Sequence, residues 1–253
     1  LYIHKDQSLT DNLIDRCKRS GFNAMCLTVD TVVAGNRERD HRWGFTTPPK
    51  LNFKSLLSFA LHPKWSINYL THKKFELANV SHFTKKGSSI AKGVMEYINE
   101  QYDPGMGWKD AEYCIKRWGG PFAIKGVMSV EDAKRAVEIG ASAIMLSNHG
   151  GRQLDGSRAP FDQLPAIADA VGGKIEIIID GGIRRGTHVL KALSLGATAC
   201  SFGKGYLFGL GAGGQRGVEA VLQRMQDEIR RDMILLGCKS IKDLQKTNVI
   251  FRK

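Results

Sequence analysis

The sequence predicts an α/β fold built around a parallel sheet, and three observations predict it. Strand-length apolar runs alternate with helical patterns, and most of those helices end at a glycine, which is the signature of parallel strands joined by crossover helices. The chain also repeats itself: AVEIGASAIMLS (136–147) and ALSLGATACSFG (192–203) share a helix end, Gly-Ala and then a strand, with RSGFNAMCLTVD (19–30) a weaker third copy. Finally, Asp30, His149, Asp180 and Gly203 fall at or just after strand carboxyl ends, and Lys125 lies close to one. Sites occupy that edge in a (β/α)8 barrel, and a doubly wound sheet obeys a similar rule. No GxGxxG opens a first βα unit, which disfavours the dinucleotide-binding form.

Taken in order, Leu1-Tyr2-Ile3 is a short apolar stub that suits the end of a strand. Ser8–Ser20 carries Leu9, Leu13, Ile14 and Cys17 at helical spacing and stops at Gly21. NAMCLTVD (23–30) is a strand ending in an acid, and 31–44 is a polar, Arg-rich loop. PFAIKGV (121–127) is a strand containing a lysine. Ser129, with Asp132 three residues on, caps a helix that runs to Ile139 and closes at Gly140. A strand over 143–147, a helix over 161–171, the strand IEIIID (175–180), a helix over 187–195 and a strand over 198–202 follow. An amphipathic helix with an Arg-rich face spans 217–236 and closes at Gly237.

The 253 residues allow one large domain or two small ones and are read as one, and 25% charged with 42% hydrophobic residues is ordinary for a folded soluble chain. The length suits a barrel of about 250 residues, yet only five full strands and a stub can be counted. About 90 residues between Asp30 and Pro121 hold no obvious barrel strand. A barrel reading therefore expects its first two or three strands to be missing, and the Leu1 start, without Met or a signal-peptide pattern, looks cut or processed. No apolar run reaches the roughly 18–20 residues needed to span a bilayer. Cys17, Cys26, Cys114, Cys200 and Cys238 lie at no metal-ligand or CxxC spacing, so no metal site or disulfide framework is expected. Cys26 and Cys200, inside apolar runs, are expected to be core residues.

The densest chemistry lies in SNHGGRQLD (147–155). A buried strand delivers His149, whose imidazole suits proton abstraction. Gly150 and Gly151 let backbone approach a ligand, and Arg152 offers a planar fork for a carboxylate or phosphate. Asp30 is placed to pair with His149. Lys125, inside an apolar strand, requires an acid or anionic ligand facing it. The glycine turns DGGIRRG (180–186) and FGKG (202–205) end the last two strands, each with a cation, and expose backbone N–H groups to a phosphate.

Together LTVDT (27–31), NRERD (36–40), IKGV (124–127), SNHGGRQLD, DGGIRRG and GCKSIKDL (237–244) resemble the FMN-dependent α-hydroxy-acid oxidase and dehydrogenase family, which includes L-lactate dehydrogenase, glycolate oxidase, mandelate dehydrogenase and flavocytochrome b2. The resemblance covers nearly the whole chain and implies the C-terminal portion of a (β/α)8 TIM barrel, with N-terminal strands missing and a long insert after the Asp30 strand. It implies His149 as catalytic base paired with Asp30, and Tyr2, Arg37 and Arg152 as substrate contacts. FMN would be held by Thr28, Lys125 and Ser147 at the ring, and by Asp180, Gly181, Gly182, Ile183, Arg184, Gly203 and Lys204 along the ribityl phosphate. Where Lys204 stands the family usually has Arg; lysine binds phosphate as a point charge without the bidentate fork. The implied reaction is oxidation of an L-2-hydroxy acid, with lactate the leading substrate and glycolate or mandelate the alternatives. Electrons would pass to quinone, cytochrome or oxygen, and a homo-oligomer is implied. The rival readings are a different phosphate-binding barrel enzyme, or an inactive membrane-binding or interaction module.

The insert accounts for much of the charge. Residues 45–90 hold seven lysines (50, 54, 64, 73, 74, 85 and 86) against one acid, Glu76, which is half of the net +12. Leu56, Leu57, Phe59, Leu61, Trp65, Ile67, Tyr69 and Leu70 lie between the lysines. Apolar residues interleaved with lysine suit an anionic membrane surface, and LHPKWSINYL resembles the insert of membrane-associated bacterial members of the family. The expectation is a cytoplasmic protein, peripheral on the inner face of the membrane through 45–80. No recognised nucleic-acid fold carries the basic stretch, so nucleic acid is not an expected partner.

Overall fold

Five parallel strands in sequential order make the sheet: β1 (Met25–Thr28), β2 (Phe122–Val127), β3 (Ala143–Leu146), β4 (Glu176–Asp180) and β5 (Ala199–Ser201). The structure, a computed structural model, describes residues 1–42, 44, 51–72, 79 and 100–250. Helix α1 (Gln7–Arg19) precedes β1. Helices α2 (Glu38–Arg42), α3 (Phe53–Leu61), α4 (Pro63–Thr71) and α5 (Trp108–Trp118) lie between β1 and β2. The crossovers α6 (Val130–Glu138), α7 (Pro160–Val171) and α8 (Gly186–Ser194) follow in turn, and α9 (Lys204–Leu235) comes last. A doubly wound sheet reverses its strand order at a switch point; here the order never reverses, so the architecture is part of a (β/α)8 barrel. Leu1 extends the β1 edge: its amine donates to the Cys26 carbonyl at 2.7 Å and its carbonyl accepts Thr28 N–H at 2.9 Å, the rungs of a parallel neighbour.

Local chemistry sets the element ends. Ser129 Oγ accepts the Asp132 N–H at 3.1 Å and opens α6 as the sequence predicts. Asp6 caps α1 through Ser8 N–H at 2.9 Å, so that helix starts a residue earlier than expected. Leu27, Ile124, Ile144, Leu146, Ile177 and Ile179 are fully buried, as are Leu164 and Ile167 on α7. Burying such a side chain stabilises by roughly 1.5–3 kcal/mol, against about 1 kcal/mol for a typical hydrogen bond, so packing holds the helices to the sheet. The alternate residues, Cys26, Lys125, Met145, Ile178, Asp180 and Cys200, form a half-buried second face. The expectation that Cys26 and Cys200 are core residues is therefore corrected; Cys114 and Cys238 are the buried cysteines.

Three further elements differ from the sequence reading. The 31–44 segment is not all loop but contains α2. Helix α5 has no counterpart in the sequence reading, although its apolar positions Ala111, Cys114 and Trp118 are buried together. Helix α9 begins at Lys204 rather than near 217. Gly213 and Gly214, with φ of −147° and +60°, break it, and the two halves fold back until Gly209 and Gly217 meet. Any side chain at either glycine would strike the other's backbone.

In the insert, Asn52 caps α3 through Ser55 N–H at 2.9 Å, and Pro63 opens α4. Neither helix buries a residue. Phe59, Trp65 and Tyr69 stack with ring centroids 5.4 and 5.2 Å apart, and Leu56, Leu57, Leu61, Ile67 and Leu70 are exposed beside them. Lys54 and Lys64 belong to these helices; Lys50, Lys73, Lys74, Glu76, Lys85 and Lys86 lie outside the described residues.

Candidate functional site

The carboxyl ends of β1 to β5 carry the predicted polar residues, and the first cluster forms where β1 and β2 end side by side. Asp30, two residues beyond β1, lies against Gly126 at an irregularity in β2. Gly126 has φ +110°, and a Cβ there would come within 2.8 Å of Asp30 Cβ, so the absent side chain makes room for the acid. Asp30 Oδ1 lies 3.0 Å from His149 Nδ1 and accepts the Thr31 hydroxyl at 3.1 Å. An ionised carboxylate only accepts, so Nδ1 carries the ring hydrogen and Nε2 is left as the basic atom. Asp30 Oδ2 is buried with no partner among the described residues.

His149 is held from its backbone side as well. It is the non-glycine residue with positive φ, +58°, among the described residues. Left-handed backbone costs a non-glycine residue of order 1 kcal/mol. Its N–H donates to Ser147 Oγ at 3.0 Å. That hydroxyl also accepts Lys125 Nζ at 2.7 Å and donates to Asp180 Oδ2 at 2.7 Å, while Lys125 Nζ reaches the same carboxylate oxygen at 2.6 Å. Ser147 is fully buried, so β2, β3 and β4 end in one closed polar triangle. Burial alone would raise the Asp180 carboxyl, but the Lys125 and Ser147 hydrogen bonds outweigh it and hold the group below the usual carboxylate range. The acid that Lys125 requires is thus Asp180.

Two loops bring the arginines near. Gln153 Nε2 donates to the carbonyls of Asp30 at 3.2 Å and Val33 at 2.9 Å, and Gly35 packs directly on the Arg152 carbonyl. Arg152 Nη2 lies 3.6 Å from Asp40 Oδ2, a counter-ion that the sequence reading did not anticipate. Arg37 Nε is buried without a partner among the described residues. Tyr2 packs edge-on against Tyr102, with centroids 6.1 Å apart. Burial and the Asp30 charge push the Tyr2 phenol up, so it is a hydrogen-bond donor through neutral pH.

The third cluster is the pair of glycine turns. Gly181 and Gly182 have φ of +101° and +74°, and added side chains there or at Gly203 would meet nothing within 4 Å. Lys204 Nζ donates to the Gly150 carbonyl at 3.1 Å, tying this turn to the His149 loop. Ile183 is 3% exposed, so its side chain belongs to the core and only its backbone would be available to a ligand. Thr28 is buried and lies in register with Lys125.

The structure therefore brings Asp30 to His149 and Lys125 to Ser147 and Asp180, and sets Arg152 against Asp40. Thr31, Tyr102, Gln153 and Glu228 were missed. Thr31 and Gln153 lie inside the quoted motifs and were legible as polar neighbours. Tyr102 packs on Tyr2, and Glu228 on α9 accepts from Arg185 and the Gly186 N–H beside the second turn, contacts made only through tertiary packing. The residues fit a flavin phosphate and ring: open backbone turns with cations, a polar row on the half-buried face and, among the described residues of the site, three orphaned polar atoms, Asp30 Oδ2, Arg37 Nε and Gln153 Oε1.

The family described as FMN-dependent dehydrogenase matches residues 1–251. The chain is 43% identical over 244 residues to an L-lactate oxidase of Nostoc sp., covering 96% of this chain and 61% of that protein. It is 38% identical over 253 residues to an L-lactate dehydrogenase of Vibrio cholerae, covering 100% of this chain and 66% of that one. Among solved structures, the monotopic membrane protein (S)-mandelate dehydrogenase superposes with a TM-score of 0.90 at 33% identity, covering 98% of this chain and 65% of that chain. The chain thus spans somewhat under two thirds of the length of the curated relatives it matches.

Proposed function

Because the chain belongs to the FMN-dependent dehydrogenase family, we propose that the protein it represents oxidises an L-2-hydroxy acid to the 2-oxo acid, with L-lactate the leading substrate. The observation that carries this reading is the His149 Nδ1–Asp30 Oδ1 contact of 3.0 Å, which leaves a basic imidazole nitrogen at the mouth of the sheet. Bound FMN supplies the two-electron acceptor. His149 takes a proton from the substrate, and Asp30 steadies the imidazolium that forms. Arg152 and Arg37 hold the substrate carboxylate, which displaces Asp40 from Arg152. Tyr2 donates to the substrate oxygen. Lys125, fixed by Asp180 and Ser147, would place a cation beside the bound flavin ring. Asp180, Gly181, Gly182, the Ile183 backbone, Arg184, Gly203 and Lys204 would hold the ribityl chain and its phosphate, the carboxylate on the hydroxyls and the cations and turns on the phosphate, and Thr28 and Ser147 would meet the ring.

The named relatives, a lactate oxidase and a lactate dehydrogenase, support the substrate choice; oxygen, quinone and cytochrome are the candidate acceptors. Purified full-length protein is expected to be yellow and to bleach anaerobically with L-lactate faster than with glycolate or L-mandelate. A colourless protein, or one bleached by none of the three, overturns the reading.

For the insert, we propose peripheral docking on the cytoplasmic membrane. No described helix is long and apolar enough to cross a bilayer. Helices α3 and α4 instead present Leu56, Leu57, Trp65, Ile67 and Leu70 to the exterior beside Lys54 and Lys64, a surface that suits shallow insertion among anionic headgroups. Deleting 46–80 is expected to abolish co-sedimentation with anionic liposomes; unchanged co-sedimentation sinks the assignment.

A further inference from the structure

We infer that Glu228, on the second half of α9, is a positioning residue for the β4–α8 turn, an inference that rests on the flavin reading above. Helix α8 starts without a cap of its own: Arg185 stands at its N-cap and makes no side-chain capping bond. The first free N–H, that of Gly186, would be an orphaned donor in a buried place. Glu228 Oε2 takes it at 2.8 Å from forty-two positions further along the chain. Oε1 accepts Arg185 Nε at 2.8 Å and Arg224 Nε at 3.2 Å. The carboxylate is 5% exposed. The Gly186 N–H foremost, with the two arginines, holds it below the usual carboxylate range. Gly186 is itself in contact with α9: a Cβ there would lie 2.6 Å from both Glu228 Cβ and Ile229 N.

Two consequences follow for the turn. The adjacent arginines are sorted. Arg185 is engaged by Glu228, while Arg184 makes no ion pair among the described residues and is left for an anion. The α8 N-terminus is also already occupied by a carboxylate. A phosphate is thereby directed to the turn itself and to the start of α9 at Gly203 and Lys204, not to the α8 N-terminus. The upstream end of the turn is pinned separately, by Gly181 N–H on the Ser201 carbonyl at 3.4 Å and by the Asp180 triangle. Glu228 supplies the downstream pin.

The test is flavin affinity of the full-length protein stripped of cofactor, titrated with FMN and with riboflavin, which lacks the phosphate. Glu228→Gln is expected to weaken FMN about tenfold, the loss of a charge-assisted bond, while riboflavin changes by less than about twofold. The double variant Arg185→Gln/Arg224→Gln alters residues that are 51% and 71% exposed, spares the buried carboxylate, and is expected to weaken FMN in the same selective way. Equal loss of both flavins, or unchanged FMN affinity in both variants, overturns the inference while leaving the flavin reading intact. Wild-type protein that takes up neither flavin overturns both.

Discussion

Replacing His149 with Gln is expected to leave the full-length protein yellow and to lower its turnover by about 10²- to 10⁴-fold, the usual contribution of a positioned general base. Glutamine has no basic atom at the place of Nε2. The contacts that would hold FMN survive, because Lys125, Ser147 and Asp180 bond to one another and to the backbone of residue 149, not to its ring. Steady-state oxidation of L-lactate, alongside the visible flavin spectrum, separates the two effects. Near-full turnover in the variant would refute the assignment of the base, and loss of bound flavin would show that the ring does more than proton chemistry.

Lys125→Met is expected to be the most destabilising single change in the site. Lys125 and Asp180 are 20% and 17% exposed, and removing one partner of such a pair costs about 3–5 kcal/mol through the charge left behind. The effect carries a pH signature. Asp180 has a folded pKa depressed below its ordinary 3.8, so its contribution to stability is fully present above that value and is lost as pH falls through the depressed one. With Lys125 gone, the depression is weakened. The stability gap between variant and wild type, measured by denaturant unfolding, should be widest near neutrality and narrow below about pH 4. A gap that stayed constant into acid would show that packing of the lysine stem, rather than its charge, sets the loss.

What the sequence made legible follows from where each interaction is encoded. The β-α units from Pro121 to Ser201 are periodic, glycine-punctuated and locally capped, so their existence and their polar ends could be read directly, to within a residue or two. The barrel and doubly wound alternatives could not be separated by residues alone, because strand order is a tertiary fact. The Asp30–His149 pairing was inferable, since both residues end strands. The identity of the acid opposite Lys125 was not, because β2 and β4 are not neighbours in the sheet and Lys125 reaches Asp180 only across the end of β3. The first half of α9 was hidden by its glycines, which look like loop, although Gly209 serves close packing and Gly213 and Gly214 a reversal of direction. Glu228 looked like one more charge on an amphipathic helix, and only the folded chain shows it buried.

The left-handed backbone at His149 bears on how this position came to be occupied. Glycine adopts φ near +58° without penalty, and the next two residues, Gly150 and Gly151, do so at +66° and +71°. Folding alone would favour a third glycine there. With His149 as the proposed base, an imidazole in that conformation gives up some stability for reactivity, and the fold recovers part of it through one serine hydroxyl. Residue 149 is thus a place where selection for chemistry and selection for a durable fold pull in opposite directions.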